Sequence, residues 1–235
     1  MTKEKNIILS HEPAMEIGTW RLLYKLFIDE LSLNSICEVG CGHPGFLNSL
    51  DVKEKIAVDY GEYFKKDYLK NGISFLNLDL DNDSLDAGNL KLDSVVCSDV
   101  FEHLLSPDKT LRFCYDLLKK EGIFFSHVPN EFNIRRLIKV ALLNSSSVFF
   151  HEGEEHSNPH LRRFTKHGYL KFLKREFKYN LYISDCMYVG VKSLLYKFNF
   201  PIPYGFQFGP TFISTNDENT FLKLEEVKKR INYNK

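Results

Sequence analysis

The 235-residue chain lacks the features that mark several large classes of protein. Its 31 lysine and arginine residues balance 31 aspartate and glutamate residues, so it has no excess positive charge with which to coat a nucleic acid. No apolar run approaches the length that crosses a bilayer, and residues 1–10 do not form a secretory signal. These absences disfavour a nucleic-acid partner and predict a cytoplasmic protein without membrane association.

Cysteine is also scarce. The chain has five cysteines, an odd number, and none of them show the Cys-x-x-Cys spacing of metal or redox motifs. Cys37, Cys97 and Cys186 lie in apolar runs, where a free thiol behaves as a small core side chain. A disulfide scaffold is therefore not expected, and a reducing compartment fits better.

Apolar residues make up 43% of the chain and fall into short runs that alternate with helical patterns. Buried strands are predicted over residues 35–40, 55–59, 73–79, 92–99 and 122–129, and closing strands over 182–191 and 211–215. Helices are predicted over 13–31, from Ser106-Pro107 to Gly122, and over 165–177. Continuous apolar strands are covered on both faces, so we predict an α/β fold. It is a Rossmann-like, doubly wound, mostly parallel seven-stranded sheet with an N-terminal helix.

The same pattern predicts a single domain over residues 1–235, with a helical cap at 1–34 and an insertion at 131–164. An irregular segment this long after the fifth strand is typical of a lid over a site, and we expect ligands to order it. Of its histidines, His151 and His156 are too loosely spaced to define a metal cluster, and His160 is the candidate for a role in the site. His127, on the fifth strand, is interpreted as a hydrogen-bonded core histidine.

The first predicted strand ends in a glycine-rich turn, Glu38-Val39-Gly40-Cys41-Gly42-His43-Pro44-Gly45. Glycines allow a tight turn and the close approach of a ligand, as in NAD and FAD sites. Glu38 would repel a pyrophosphate, so a cationic ligand fits better than NAD(P). Asp59 can accept from a ribose diol, and Asp79 can accept from an adenine amino group. The turn and the three acids predict a nucleoside site with no phosphate to neutralise.

These residues resemble the class I S-adenosylmethionine-dependent methyltransferases, over about residues 35–177. The resemblance rests on segments 36–46, 57–59, 75–79, 92–103 and 122–130. It implies that S-adenosyl-L-methionine is the cofactor, contacted by Gly40 and Gly42, with Asp59 at the ribose and Asp79 at the adenine. The full predicted cofactor set is Glu38, Gly40, Gly42, Gly45, Asp59, Tyr60, Asp79, Leu80 and Ser98. The family usually has a third glycine where Pro44 stands here, with Gly45 following it.

The fourth predicted strand runs into Ser98-Asp99-Val100-Phe101-Glu102-His103, which in the resembled family passes beside the sulfonium and faces the methyl acceptor. Methyl transfer is an in-line displacement, so alignment supplies most of the catalysis, and a general base assists when the acceptor is a hydroxyl. We predict His103 as that base, with Glu102 or Asp99 fixing its tautomer and His160 converging on the acceptor. A capping and packing role for the Glu-His pair is the alternative.

A second resemblance runs through the same residues. Asp99-x-x-Glu102-His103, with His160 before Thr165, is similar to the small-RNA 2′-O-methyltransferases, whose two acids and two histidines bind a divalent metal at the terminal ribose hydroxyls. It implies, as an alternative, that Asp99, Glu102, His103 and His160 bind Mg²⁺ or Mn²⁺. That family has Glu where Asp99 stands, and some quinone-pathway O-methyltransferases share the pattern, so it need not imply RNA.

The predicted function is methyl transfer from S-adenosylmethionine to a hydroxyl oxygen of a small molecule or sugar. Two alternatives stay open: a metal-assisted 2′-O-methyltransferase acting on a ribose or other vicinal diol, and a non-catalytic binding protein that retains the fold. A ring-shaped acceptor would fit aromatic residues expected at the pocket rim, unless they belong to the core: Phe132, Phe149, Phe150, Tyr204, Phe206 and Phe208.

Overall fold

The computed structural model describes residues 19–132, 138, 160–184 and 209–233. Residues 1–18 of the predicted cap, most of the predicted insertion and residues 185–208 lie outside the described residues, and so do five of the six rim aromatics. The helices are Thr19–Leu31 (α1), Gly45–Ser49 (α2), Lys65–Lys70 (α3), Pro107–Asp116 (α4), Lys166–Leu173 (α5) and Glu218–Tyr233 (α6). The strands are Ser35–Val39 (β1), Glu54–Asp59 (β2), Ser74–Asn77 (β3), Leu92–Ser98 (β4), Leu118–His127 (β5), Tyr179–Tyr182 (β6) and Thr211–Thr215 (β7).

The strands form one sheet in the order β3-β2-β1-β4-β5-β7-β6. The first five strands pair in parallel, β7 pairs antiparallel with β5, and β6 pairs antiparallel with β7. The structure confirms the predicted seven-stranded, mostly parallel α/β sheet. The strand order reverses between β1 and β4, and ligands of open α/β sheets bind at the carboxyl ends of the strands at such a point.

Both faces of the sheet are covered, which explains why its central strands are continuous apolar runs. All five residues of β1 are buried, and β4 is buried except at Asp93. Neighbouring residues of β5 enter opposite layers: Phe124 contacts Phe177 on one face, and Phe125 contacts Tyr24 of α1 on the other. The two layers fix the strand ends where the candidate site residues stand. No helix within the described ranges has the length and apolar content of a membrane span.

The fifth strand begins earlier than the sequence predicts. α4 ends at Asp116 and β5 starts at Leu118, so the prediction that Gly122 ends the helix is wrong. Lys119 and Lys120 lie on the exposed first part of the strand. The physical reason is pairing with β4: Leu118 pairs with Leu92, and the register shifts before Ile123 pairs with Ser94. Such an irregularity depends on the neighbouring strand and leaves no local sequence pattern.

Other elements also differ from the predicted bounds. β3 ends at Asn77, so Asp79 stands two residues beyond the strand. β6 ends at Tyr182, where the predicted strand 182–191 was to begin, and residues 185–191 of that strand lie outside the described residues. The helix predicted from Thr165 to 177 is shorter, with Thr165 as its N-cap accepting from the Gly168 N–H at 3.0 Å. α6, which packs Leu224 and Val227 into the core, was not predicted.

Candidate active site

The turn after β1 contains two glycines with left-handed backbone. Gly40 has φ +70° and Gly42 has φ +54°. The N–H groups of Gly40 and Cys41 both donate to the carbonyl of Val58, at 2.8 and 3.2 Å, which holds the turn against β2. A Cβ at position 40 would lie 2.3 Å from Cγ2 of Val100, whereas a Cβ at position 42 would meet no atom within 4 Å. Packing and backbone conformation both require glycine at position 40, and backbone conformation alone requires it at position 42.

Alanine substitutions should separate these two requirements. Gly88 lines neither cavity described below and serves as the control, because it has the same φ of +54° as Gly42 and the same open space around a Cβ. Gly42→Ala and Gly88→Ala should therefore each lower the free energy of unfolding by about 1–2 kcal/mol. Gly40→Ala adds the clash with Val100 and should cost roughly 1–3 kcal/mol more. Denaturant unfolding measures all three variants. A cost at position 40 equal to that of the control at position 88 would contradict the packing requirement.

The carboxylate of Asp59 is held in place by backbone donors. The Gly42 N–H donates to Oδ2 at 2.9 Å, and the Gly61 N–H donates to Oδ1 at 3.0 Å. The Tyr68 hydroxyl donates to the carbonyl of Gly42 at 3.2 Å and fixes the next peptide group of the turn. Each carboxylate oxygen accepts one N–H, and the Cys41 thiol lies 3.9 Å from Oδ2 as a further, weak donor. Asp59 is therefore pre-oriented to accept from a vicinal diol.

Asp79 is engaged in its own turn. Its Oδ1 accepts from the N–H groups of Asp81 and Asn82, and its Oδ2 accepts from the Asn82 side chain. These hydrogen bonds lower the pKa of Asp79, and the bond from the Asn82 side chain has the largest effect. Asp81 in turn accepts from the N–H groups of Leu105 and Ser106, both at 3.0 Å. The segment after β3 is thereby tied to the start of α4.

Two cavities open at the carboxyl edge of the sheet. The larger, of about 340 Å³, is lined by Gly40, Gly42, Asp59, Tyr60, Asp79 and Leu80, together with Asp99 and His103. The smaller, of about 210 Å³, shares Gly40, Gly42 and Asp99 and adds Ser98 and Arg21. Seven of the nine residues predicted for the cofactor therefore line one cavity or both. Glu38 and Gly45 line neither.

Glu38 lies behind the glycine turn. It is 1% exposed, and its Oε1 accepts from Nε of Arg21 at 3.0 Å. Burial raises the pKa of Glu38 to about 7 against the opposing charge of Arg21. Because Arg21 itself lines the smaller cavity, Glu38 can influence a ligand through this guanidinium. The structure thus gives Glu38 an indirect place in the site.

Four side chains converge beyond the carboxyl end of β4. The ring centroids of His103 and His160 lie 4.7 Å apart. Oε1 of Glu102 lies 3.9 Å from Nε2 of His103, and Oε1 of Glu131 lies 2.5 Å from Nδ1 of His160. Glu102, His103 and His160 each offer a metal-ligand atom, and these atoms lie within 4.8 Å of one another. The structure brings the three residues predicted as catalytic together and adds Glu131, which the sequence analysis did not single out.

Glu102 is a buried acid without a hydrogen-bond donor. It is 1% exposed, and neither of its side-chain oxygens has a hydrogen-bond partner among the described residues. Burial, reinforced by the charge of Asp99, raises the pKa of Glu102 to about 8. A buried carboxylate with no donor is costly when ionised. Glu102 is therefore either protonated or balanced by a cation.

Asp99, the fourth residue of the predicted metal set, is not part of this group. Its φ is +56°, and its N–H donates to the carbonyl of His127 at 3.1 Å. Its Oδ1 lies 3.6 Å from Nε2 of His127. With its carboxylate beside His127, Asp99 is not among the residues whose ligand atoms lie within 4.8 Å of one another.

Sequence reasoning missed Arg21, Asp81 and Glu131. In the sequence, Arg21 is one charged residue among several on an amphipathic helix. Its position at the smaller cavity depends on how α1 packs against the ends of the strands. Asp81 belongs to an Asp-Asn-Asp run that indicates a turn, but its bonding partners lie 24 and 25 residues further along the chain. Glu131 follows Asn130 at the end of β5, and only the return of residue 160 to that place brings it against a histidine.

The comparison with protein families identifies the chain. A model described as a methyltransferase domain matches residues 17–175, which is more than half of the chain. No curated protein matches it. The chain belongs to the class I S-adenosylmethionine-dependent methyltransferases, as the sequence predicted, and S-adenosylmethionine is its methyl donor.

Solved structures share this fold at low sequence identity. An S-adenosylmethionine-dependent methyltransferase from Clostridium acetobutylicum is 13% identical, with a TM-score of 0.56 over 85% of this chain and 91% of that one. The plantazolicin methyltransferase BpumL in complex with SAH is 14% identical, with a TM-score of 0.57 over 88% of this chain and 86% of that one. At such identities the similarity concerns the fold.

Proposed function

We propose that this methyltransferase transfers the methyl group to a hydroxyl oxygen of a small molecule or sugar, with His103 as the general base. The observation that carries the proposal is the position of His103. It lines the larger cavity just beyond β4, next to Val100 and Leu104, and its ring meets that of His160. A hydroxyl is a weak nucleophile at neutral pH, so a base at the acceptor end of the cavity favours oxygen as the methylated atom.

In this proposal the residues at the strand ends would hold the cofactor. Asp59 would accept from the two ribose hydroxyls, and Tyr60, Asp79 and Leu80 would border the adenine. Gly40, Gly42 and Ser98 would border the methionine part. Glu38 would act through Arg21, and Gly45 would act by shaping the turn. The bound cofactor would supply the methyl group to an acceptor beside His103.

His103 then takes the acceptor proton while the oxygen–carbon bond forms and the carbon–sulfur bond breaks. His160 is oriented for a supporting role, since its Nδ1 lies in hydrogen-bond contact with Glu131. Burial raises the pKa of Glu102 to about 8, so at pH 7 this side chain is mostly protonated. A neutral Glu102 beside the His103 ring does not stabilise the protonated imidazole before the reaction. A neutral imidazole is the form that can accept the proton.

The acceptor side would be completed by the cap at 1–34 and the insertion at 131–164, within one domain over residues 1–235. The described end of the insertion supports this arrangement. The Arg162 N–H donates to the carbonyl of Glu102 at 3.1 Å, and its guanidinium donates to the carbonyls of Leu104 and Leu105. The chain therefore returns to the loop after β4, next to the His103 end of the larger cavity.

A metal-assisted reaction on a vicinal diol is the second candidate, and the Glu102 cluster favours it. One carboxylate and two imidazoles within 4.8 Å form a mixed ligand set that suits Mn²⁺ or Mg²⁺, and the donor-free oxygens of Glu102 are what a cation would satisfy. Glu131 would accept a hydrogen bond from Nδ1 of His160 and orient the ring, as carboxylates commonly do for metal-bound histidines. A bound divalent cation would polarise the hydroxyls of the acceptor.

Matched acceptors test the two candidates. We expect methyl transfer from S-adenosylmethionine to oxygen in a panel of catechol, phenol, ribonucleosides and their 2′-deoxy counterparts. If His103 acts as the base, phenol and catechol should both react, and prior treatment with a chelator should change the rate little. If a metal assists, only the diols should react, and Mg²⁺ or Mn²⁺ should restore activity after chelation. Methylation confined to nitrogen or carbon acceptors would contradict both candidates.

A further inference from the structure

The loop after β4 carries His103, and Arg162 contacts three of its carbonyl groups. The main-chain N–H of Arg162 donates to the carbonyl of Glu102 at 3.1 Å. Its guanidinium donates to the carbonyl of Leu104 and, at 2.7 Å, to that of Leu105. A planar guanidinium fits two neighbouring acceptors in this way, whereas an ammonium is a compact point charge. One residue therefore holds the loop on both sides of His103.

Asp81 holds the same loop from the opposite edge of its peptide groups. Its Oδ2 accepts from the Leu105 N–H and its Oδ1 accepts from the Ser106 N–H, both at 3.0 Å. The Leu104 carbonyl and the Leu105 N–H belong to one peptide group, and the Leu105 carbonyl and the Ser106 N–H belong to the next. Each of these two peptide groups is therefore bound by Arg162 at its carbonyl and by Asp81 at its N–H.

Opposite charges at the two ends of a peptide group strengthen both of its hydrogen bonds. The carboxylate and the guanidinium each form charge-assisted bonds, and the peptide group between them is polarised in the direction that favours both. Because each peptide group is planar, fixing the two that flank Leu105 fixes the backbone dihedral angles of that residue. Leu105 is 68% exposed, so packing contributes little to its position. The conformation of the loop at Leu105 therefore depends on these polar contacts.

The loop borders both the cofactor and the acceptor ends of the site. His103, Leu105 and Asp81 line the larger cavity, whereas Arg162 lines neither cavity. We propose that Arg162 and Asp81 act together as positioning residues. They hold the loop after β4 so that His103 stays directed at the acceptor and Leu105 stays at the wall of the larger cavity. Arg162 acts on the reaction through this loop, and the inference rests on the proposed role of His103.

Amide hydrogen exchange tests whether the two side chains act on the same peptide groups. In Arg162→Met the N–H groups of Leu105 and Ser106 should exchange about tenfold faster than in the wild type, although their acceptor Asp81 is unchanged. Arg162→Lys keeps the charge without the planar fork and should give intermediate rates. Adding Asp81→Asn to Arg162→Met should raise the rates little beyond those of either single variant. Wild-type exchange in Arg162→Met, or fully additive effects, would overturn the proposal.

Two controls separate a local effect on the loop from a general loss of stability. The Gly40 N–H, which donates to the carbonyl of Val58, reports on the sheet edge and should keep its protection in Arg162→Met. Arg112→Met removes another arginine with two carboxylate partners, those of Asp116 and Glu176, at a place that lines neither cavity. It should leave the exchange of the loop at wild-type rates. Equal acceleration at Gly40 and in the loop would assign Arg162 to overall stability and contradict a positioning role.

Methyl transfer to catechol distinguishes this inference from the proposed function. Catechol suits both candidate reactions, because it offers a hydroxyl and a vicinal diol. In single turnovers Arg162→Met should lower the rate about tenfold, and it should cost little more in a His103→Ala background, since its effect passes through His103. Equal losses in both backgrounds would contradict the positioning role. Wild-type turnover of His103→Ala would instead contradict the proposed function, and the exchange rates would still decide whether Arg162 and Asp81 hold the loop together.

Discussion

Replacing His103 by alanine should lower the rate of methyl transfer by roughly 10²- to 10⁴-fold while leaving the affinity for S-adenosylhomocysteine close to that of the wild type. The reason is that the proposed role of His103 is to take the acceptor proton during bond formation, and removal of a general base costs rate over about this range. Single-turnover kinetics with a saturating acceptor measure the chemical step, and calorimetry measures the affinity.

His167→Ala is the control for His103→Ala, because His167 is an exposed histidine on α5 that lines neither cavity. It should keep the wild-type rate. The metal-assisted candidate predicts an additional result: wild-type protein should bind Mn²⁺, as seen by electron paramagnetic resonance, and His103→Ala, His160→Ala and Glu102→Gln should each weaken that binding. Normal turnover in both the His103 and the His160 variants would mean that neither side chain takes part, and that alignment alone supplies the catalysis.

Asp59→Ala should weaken the binding of S-adenosylhomocysteine by about 30- to 1000-fold, equivalent to the loss of two charge-assisted hydrogen bonds worth roughly 2–4 kcal/mol together. The expected size follows from the two carboxylate oxygens, each of which can accept from one ribose hydroxyl in addition to the N–H of Gly42 or Gly61. Titration calorimetry at fixed salt and pH measures the change.

The substitution also removes the acceptor for two backbone N–H groups, so it needs a ligand that separates the two effects. An analogue of S-adenosylhomocysteine without the 2′ and 3′ hydroxyls completes a double-mutant cycle with Asp59→Ala. If Asp59 binds the ribose, the analogue should bind the wild type and the variant with similar affinity. Equal losses for both ligands would instead assign Asp59 to holding the glycine turn.

The sheet could be predicted from the sequence because its signals are local. Buried parallel strands require continuous apolar runs, and those at β1 and β4 were recognised with bounds within one residue of the observed ones. The glycine turn was recognisable for the same reason, since left-handed backbone at Gly40 and Gly42 restricts the residue type. The predicted start of β5 was wrong because the observed start depends on a register irregularity against β4. α6 was missed although its apolar residues face the sheet.

The sequence by itself determined the class of fold, the nucleoside-binding turn and the acid at the end of β2, since each of these depends on residue type at a fixed distance along the chain. Only the tertiary structure decided the partners of those side chains. It separated Asp99 from Glu102, although the two stand three residues apart, because a positive φ at Asp99 directs its carboxylate to His127. It placed Glu131 against His160 across 29 residues of sequence and His127 against the Thr211 hydroxyl 84 residues away. Contacts between residues so far apart arise from packing and strand pairing, which no local pattern encodes.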